Sequence, residues 1–295
     1  MAITAGDIAK LRASTGAGMM DCKKALEEAG GDMDKAVDIL RKKGVMKAAK
    51  RADKVAAEGL THVEAKGDTA VIVEVNSETD FVAKNDNFKK LMAEVTNHLF
   101  TVQPKNLDEA MKQPMTGGTG TVEEYFTNVT ATIGEKISLR RFEVVKKAAD
   151  EAFGAYVHMG GKISVLVVLK GATDESLAGD VAMHVAAANP KYIRRDQVDT
   201  SVLKKEEEIY SEQLKAQGKP EKMIVNILKG KMEKFYSEVC VLEQPYIKDE
   251  EKTVQKYLDS RGAGITVTKM YRYELGEGLE KKSCDFAAEV AEQLK

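Results

Sequence analysis

One stretch of this chain can be judged against another stretch of the same chain. Thr61–Asn76 (THVEAKGDTAVIVEVN) aligns without gaps on Ala155–Lys170 (AYVHMGGKISVLVVLK). In each, a mixed segment runs to a glycine, Gly67 or Gly161, and then to an apolar strand, Val71-Ile72-Val73 against Val165-Leu166-Val167. Farther on, Leu91–His98 (LMAEVTNH) aligns with Leu177–His184 (LAGDVAMH), again without gaps. A unit that occurs twice restricts the fold to two related subdomains, each built of strands and a helix. Only the connection differs, with 14 residues in the first copy (Ser77–Lys90) and 6 in the second (Gly171–Ser176). The eight additional residues bring in Thr79-Asp80-Phe81-Val82. A drifting surface loop would carry small polar residues, whereas Phe81 and Val82 on a projecting turn point to function. Because the flanks align, the shorter connection is expected to serve the first copy with little strain, since loop entropy changes only weakly with length.

Composition narrows the classes. At 295 residues the chain has room for two or three compact units. It is 43% hydrophobic and 31% charged, and no apolar run approaches the roughly 20 residues of a membrane span. MAITAGDIAK at the start lacks the layout of a signal peptide. Three scattered cysteines, Cys22, Cys240 and Cys284, give neither a disulfide framework nor a CxxC metal site and suit a reducing, cytoplasmic setting. The net charge of −2 gives no global argument for nucleic acid. The stretch 41–54 is locally basic (Arg41, Lys42, Lys43, Lys47, Lys50, Arg51, Lys54) and reads as a solvated helix face, with an RNA contact as the alternative.

The first 44 residues read as three short helices. Thr4 and Asp7 start the first, with Ile8 and Leu11 on one face. After Thr15-Gly16-Ala17-Gly18, the spacing of Cys22, Ala25, Leu26 and Ala29 predicts a second helix stopped by Gly30-Gly31. Asp32 caps a third, whose buried stripe is Met33, Ala36, Val37 and Leu40 and whose end is Gly44. So small a unit buries a marginal core and suits docking better than catalysis. Its layout resembles the ubiquitin-associated (UBA) fold. A charged, alanine-rich connector, Val45–Glu58, leads to the repeats. Ile137–Arg141 adds a strand, Gly117–Gly120 a flexible loop, and Asn189-Pro190 closes the second repeat helix. Val202, Ile209 and Ala216, then Met223, Ile224, Ile227, Leu228 and Phe235 after a Gly218-Lys219-Pro220 break, predict an antiparallel helical hairpin. Ile265–Leu275 alternates as a strand, and Phe286, Val290 and Leu294 line a terminal helix.

No catalytic or metal-ligating constellation stands out. His62, His98, His158 and His184 are dispersed, and the equivalent positions of His98 and His184 point to shared packing. Gly16-x-Gly18 is followed by no GKS or GKT, so the chain is not expected to bind nucleotide itself, nor to need a cofactor. Carboxylates are abundant, but no pair sits in an apolar setting. Met19 and Met20, read as lying in the turn between the first two helices, are adjacent apolar side chains that cannot both face so small a core, which makes them an adaptable contact surface.

Three motifs carry a family resemblance. TGAGMMDCKKAL (Thr15–Leu26), EVNSETDFVAKN (Glu74–Asn85) and FAAEVA (Phe286–Ala291) resemble the bacterial elongation factor Ts family, in the family's order and over nearly the whole chain. The resemblance implies a guanine nucleotide exchange factor for elongation factor Tu, which it would meet both GDP-bound and nucleotide-free. No direct nucleic acid, membrane or enzymatic activity is implied. Residues matching Arg12, Met19 and Met20 contact the partner's nucleotide-binding domain in the family. The segment matching Thr79, Asp80, Phe81 and Val82 dislocates the partner's magnesium ion, and a position matching His158 touches another partner domain. Val157 departs from the family pattern, which has a polar residue there.

The expected fold is α+β. A UBA-like module and linker occupy 1–55, followed by a core N-subdomain over 56–140. A core C-subdomain fills 141–275 with the hairpin inserted at 198–238, and a C-terminal module covers 276–295. An adaptor that scaffolds another complex through the module and hairpin is the second reading. A small-molecule enzyme with a site between the repeats is the third.

Overall fold

The structure is a computed structural model that describes residues 3–279. The expected terminal helix and Cys284 lie outside the described residues. Those residues fall into two compact units. The first takes the described parts of Met1–Thr61, Val73–Val144 and Leu275–Lys295, and the second takes His62–Ile72 and Val145–Glu274.

The first unit begins with α1 (Ala5–Thr15), α2 (Met19–Glu28) and α3 (Met33–Ala49). Thr4 caps α1 by accepting the Asp7 N–H at 3.2 Å, while the Asp7 carboxylate accepts the Thr4 N–H at 3.0 Å. Gly16 ends the helix at φ 69°, a conformation that favours glycine. Leu11, Cys22, Ala25, Leu26 and Ala36 form a small apolar core. Two expectations fail here. Val37 is exposed, and α3 does not end at Gly44 but continues to Ala49, taking in the first part of the supposed connector. Gly44 is buried, and Ala131 packs so close that a Cβ there would meet the Ala131 Cβ at 3.3 Å. It is a close-packing glycine inside a helix, and sequence alone does not distinguish that from a helix stop.

Two hairpin-and-helix units follow. In the first, β1 (Glu58–Lys66) and β2 (Thr69–Ser77) turn at Gly67, φ 61°. The chain continues through α4 (Asp80–Lys84), α5 (Asp86–Val102), α6 (Leu107–Lys112) and α7 (Val122–Ile133) to β3 (Ser138–Lys146). In the second, β4 (Glu151–His158) and β5 (Ile163–Lys170) turn beside Gly161, φ 95°. After these come α8 (Glu175–Ala188), α9 (Thr200–Ala216) and α10 (Glu221–Val239). Then follow β6 (Pro245–Tyr246), β7 (Asp249–Thr253), α11 (Val254–Asp259) and β8 (Thr266–Glu274). The sheet orders are β1-β2-β3 and β4-β5-β8, so the second hairpin strand is central in both. Central β5 is buried on both sides: Val165, Val167 and Leu169 join one core with α8, while Leu166 and Val168 join another. That double burial explains its unbroken apolar run. The fold is a mixed one of helices and small sheets.

The likeness of the copies runs further than the sequence comparison found. Gln113-Pro114 and Gln244-Pro245 each begin a short hairpin that returns to a threonine, Pro114 bridging Thr121 and Pro245 pairing with Thr253. Each threonine then caps a helix beginning with valine, and that valine's N–H returns to the glutamine carbonyl at 2.9 Å (Val122) or 3.0 Å (Val254). A tyrosine three residues on, Tyr125 or Tyr257, donates to a carboxylate on the repeat helix, Glu94 or Asp180. The helices α5 and α8 both end on a non-glycine residue in the left-handed region, Gln103 and Asn189.

Helices α9 and α10 pack on one another, largely along the predicted face of α10 but only in part along that of α9. Leu214, Ile224, Met232 and Phe235 are buried, whereas Ile209, Met223 and Ala216 are exposed. Val202 joins the packed cluster, but the seven-residue spacing fails at Ala216 and at Ile209. Tyr210, one residue later, lies in the packed cluster at the base, with its ring under the Lys231 ammonium. Among the described residues no helix is long and apolar enough to cross a membrane.

Candidate functional site

The connection that differs between the copies is not a loop. The five residues of α4 and three additional residues at the start of α5 account for its eight extra positions. Four non-helical positions remain between Asn76 and α5, the same allowance that separates Lys170 from α8. The insertion is therefore helical throughout, and it makes a stiff projection.

Its stiffness has identifiable sources. Thr79 caps α4, its hydroxyl oxygen accepting the Val82 N–H at 3.5 Å. Asn85 ends α4 and caps α5, accepting the Asn87 N–H at 2.9 Å. Asp80, in the first turn of α4, pairs with Lys84 one turn later at 2.6 Å, which suits both the helix dipole and the i,i+4 spacing. Ala83 is buried against the body, so the opposite face turns outward. Phe81 on that face is 80% exposed, the most exposed of the large apolar side chains described. The Lys84 ammonium is 5.9 Å from its ring centroid. Val82 is half-buried.

The base of the projection is tied down by a crossed pair of carboxylates. Glu135 accepts the Thr79 N–H at 3.0 Å and the Thr79 hydroxyl at 2.7 Å. Glu78 accepts the Lys136 N–H at 2.6 Å and pairs with Arg51 at 3.1 Å. The Lys136 ammonium donates to the carbonyls of Ala52 and Lys54, at 2.6 and 3.1 Å. Sequence reading singled out none of Glu78, Glu135 and Lys136, because the partners lie more than 50 residues apart and no local pattern marks them.

Of the other expected contact residues, Arg12 is exposed in the last turn of α1. Met19 and Met20 open α2 rather than sitting in the turn before it, and they are 51% and 62% exposed. All three belong to the first unit, with the Thr79–Val82 segment. His158 belongs to the second, at the tip of the β4–β5 hairpin, where its ring stacks on Tyr156 and its Nδ1 is 3.2 Å from the Tyr156 hydroxyl. Beside it, Val157 and Met159 are exposed. The basic stretch is largely ion-paired: Arg41 with Glu124, Lys43 with Glu28, Lys47 with Asp21 and Arg51 with Glu78.

A buried charge was also missed. Glu74, on β2, is 0% exposed where the second copy has Val168. Its carboxylate accepts from Arg140 (2.8 Å), Arg141 (2.6 Å), the Gly276 N–H (2.8 Å) and Asn76 (3.1 Å). Burial alone would raise its pKa. The Gly276 amide and the two guanidinium groups outweigh that and hold it below the ordinary value. The signal was one glutamate in the apolar run Val71–Val75, with Arg140-Arg141 on the neighbouring strand.

A protein-family model described as elongation factor TS matches residues 78–277. The chain belongs to the elongation factor Ts family. Membership places it among the factors of translation elongation that act in nucleotide exchange, with elongation factor Tu as partner. The match begins at Glu78, within the base of the α4 projection, and runs through both tyrosine-bearing helices to Glu277.

Proposed function

We propose that this chain releases GDP from elongation factor Tu by inserting the outer face of α4 beside the partner's nucleotide site. A GTPase holds its nucleotide through backbone amides around the phosphates, a lysine and a magnesium ion. Ejecting the nucleotide needs no covalent chemistry, only a surface that binds the empty, distorted site better than the filled one. Phe81 is the wedge, and its exposure on a capped helical turn is the observation that carries the proposal. Asp80 beside it disturbs the waters and hydrogen bonds around the magnesium ion, and Thr79 and Val82 set the turn. Arg12, Met19 and Met20, on a UBA-like module, anchor the nucleotide-binding domain, and His158 meets another part of the partner. The factor leaves when GTP rebinds, because it weakens nucleotide binding by the same factor by which nucleotide weakens its own binding. The division of labour follows a module at 1–55, subdomains at 56–140 and 141–275 with a hairpin at 198–238, and a module at 276–295. The setting is the bacterial cytoplasm.

The test is release of labelled GDP from elongation factor Tu with and without this protein. Substoichiometric amounts should accelerate release, whereas binding without acceleration would mark an adaptor and sink the proposal. Met19→Ala with Met20→Ala should raise the concentration needed for half-maximal exchange more than it lowers the maximal rate. The reverse pattern would remove the anchoring role.

A further inference from the structure

We infer that Glu135 is a positioning residue for nucleotide exchange, acting through Thr79 on the attitude of α4; this rests on the exchange reading above. The geometry forms a relay of three groups. The Thr79 hydroxyl gives its proton to the Glu135 carboxylate at 2.7 Å, which leaves its lone pairs to accept the Val82 N–H at the start of α4. The same carboxylate takes the Thr79 N–H at 3.0 Å, so one side chain fixes both the backbone and the rotamer of the capping residue. Bonds to an ionised acceptor are stronger than neutral ones and directional. α4 has only five residues, too few to hold itself as an isolated helix, so its orientation is set at its cap. Glu135 also stands in a chain of contacts that includes the segment after α3. Its neighbour Lys136 ties Glu78, Ala52 and Lys54 together, and Arg51 completes the knot. Glu135 itself has no place on the exposed face of α4. Its effect on exchange is therefore indirect, through where Asp80 and Phe81 point.

The experiment measures GDP release over a range of factor concentrations for wild type, Glu135→Ala, Thr79→Val, the double variant and Thr79→Ser, with Phe81→Ala as the reference. Glu135→Ala removes two hydrogen bonds to a charged group and should lower the maximal rate about tenfold or more. The half-maximal concentration should move less than about twofold, since the anchor is untouched. Thr79→Val should do the same. The double variant should lose less than the two single variants combined, because the hydroxyl bond to Glu135 is common to both. Thr79→Ser, which keeps the hydroxyl, should lose clearly less of the maximal rate than Thr79→Val. Three results overturn the inference: additive losses in the double variant, an unchanged maximal rate in Glu135→Ala, or a loss that tracks a falling melting temperature across the set. If Phe81→Ala exchanges normally, the wedge reading fails. If Phe81→Ala fails and Glu135→Ala does not, only the positioning role is lost.

Discussion

In the second copy, Lys170 reaches α8 through four residues, Gly171 to Asp174, and nothing projects. In the first copy the same allowance is interrupted by α4, and the strand behind it carries Glu74 where its twin carries Val168. The copies otherwise agree in hairpin, repeat helix, Gln-Pro turn, threonine-capped helix and third strand. They also agree in a buried histidine. His98 Nδ1 accepts the Thr116 N–H at 3.3 Å, and His184 Nδ1 accepts the Ile247 N–H at 3.3 Å. The difference between the copies teaches that this scaffold gains a contact by extending a helix into a connection, not by loosening one.

That lesson corrects the expectation that the six-residue connection would fit the first copy with little strain. Phe88 lies inside Ser77–Lys90 and is fully buried, and Ala83 is buried too. Replacing Ser77–Lys90 with Gly171–Ser176 removes both and leaves Glu135 and Arg51 without their partners. The expected stability loss is about 3–5 kcal/mol, as for other deletions of a buried aromatic, read as a large drop in urea midpoint. A near-normal midpoint would mean that the helical extension is not part of the core.

The next largest effect is at the central strands. Glu74→Val gives the first copy its twin's residue and leaves two guanidinium groups and the Gly276 amide without their acceptor. A loss of about 3 kcal/mol is expected, at the low end for a broken buried pair because the arginines keep some solvent. The pH dependence supplies the sign. The folded pKa of Glu74 lies below the ordinary 4.5, so its stabilisation is complete above pH 4.5 and is lost as pH falls through the folded value. The gap between wild type and Glu74→Val should therefore narrow in acid. A constant gap would show that the loss comes from packing alone.

The repeat was legible where apolar periodicity carried it, at Val71–Val73 and Leu91–His98. It was not legible at Gln113-Pro114 and Gln244-Pro245. In the first copy eleven residues follow α5 before Pro114, whereas α9 and α10 intervene in the second. An insertion that packs on itself leaves the surrounding fold intact but removes the alignment. The ion-pair knot at Glu78 and Glu135 was hidden for a different reason. Hydrogen bonds between distant segments leave no periodic trace in sequence. The Asp-Phe pair was legible because an exposed aromatic residue in a connection violates the rule that apolar groups are buried.

A smaller effect separates the histidines. Burial lowers the pKa of both His98 and His184 below 6.5. Backbone N–H donors hold each Nδ1 unprotonated, so the folded state binds fewer protons than the unfolded chain once pH falls below 6.5. Stability should be unaffected by these groups above pH 6.5 and should then fall by at most about 1.4 kcal/mol per pH unit for each imidazole. The copies differ in finish. His184 Nε2 meets Gln244 Oε1 at 2.9 Å, whereas among the described residues the buried His98 Nε2 has no partner at full hydrogen-bond distance, the matching Gln113 being near enough only to favour the protonated ring somewhat. His184→Gln should flatten the acid limb of a denaturation midpoint against pH but cost more at neutral pH than His98→Gln, because it gives up a formed bond. Equal costs at neutral pH would show that the copies use their histidines alike.

The smallest effect on stability belongs to the residue with the largest proposed effect on function. Phe81 is 80% exposed, and its ring meets the Lys84 side chain at the surface rather than a core cluster. Phe81→Ala removes an aromatic from solvent and creates no cavity, so the change in folding free energy should stay within about 0.5 kcal/mol. Alanine also has the higher helix propensity, which favours the turn it joins. Catalysed GDP release should nevertheless fall by an order of magnitude or more, about 1.4 kcal/mol or more of lost transition-state stabilisation. Val168 in the second copy shows an apolar side chain used for packing, and Phe81 is the opposite case. If the melting temperature and the exchange rate of Phe81→Ala fall together, the side chain supports the fold after all. The contrast between a copy that only packs and a copy that also acts would then lose its clearest example.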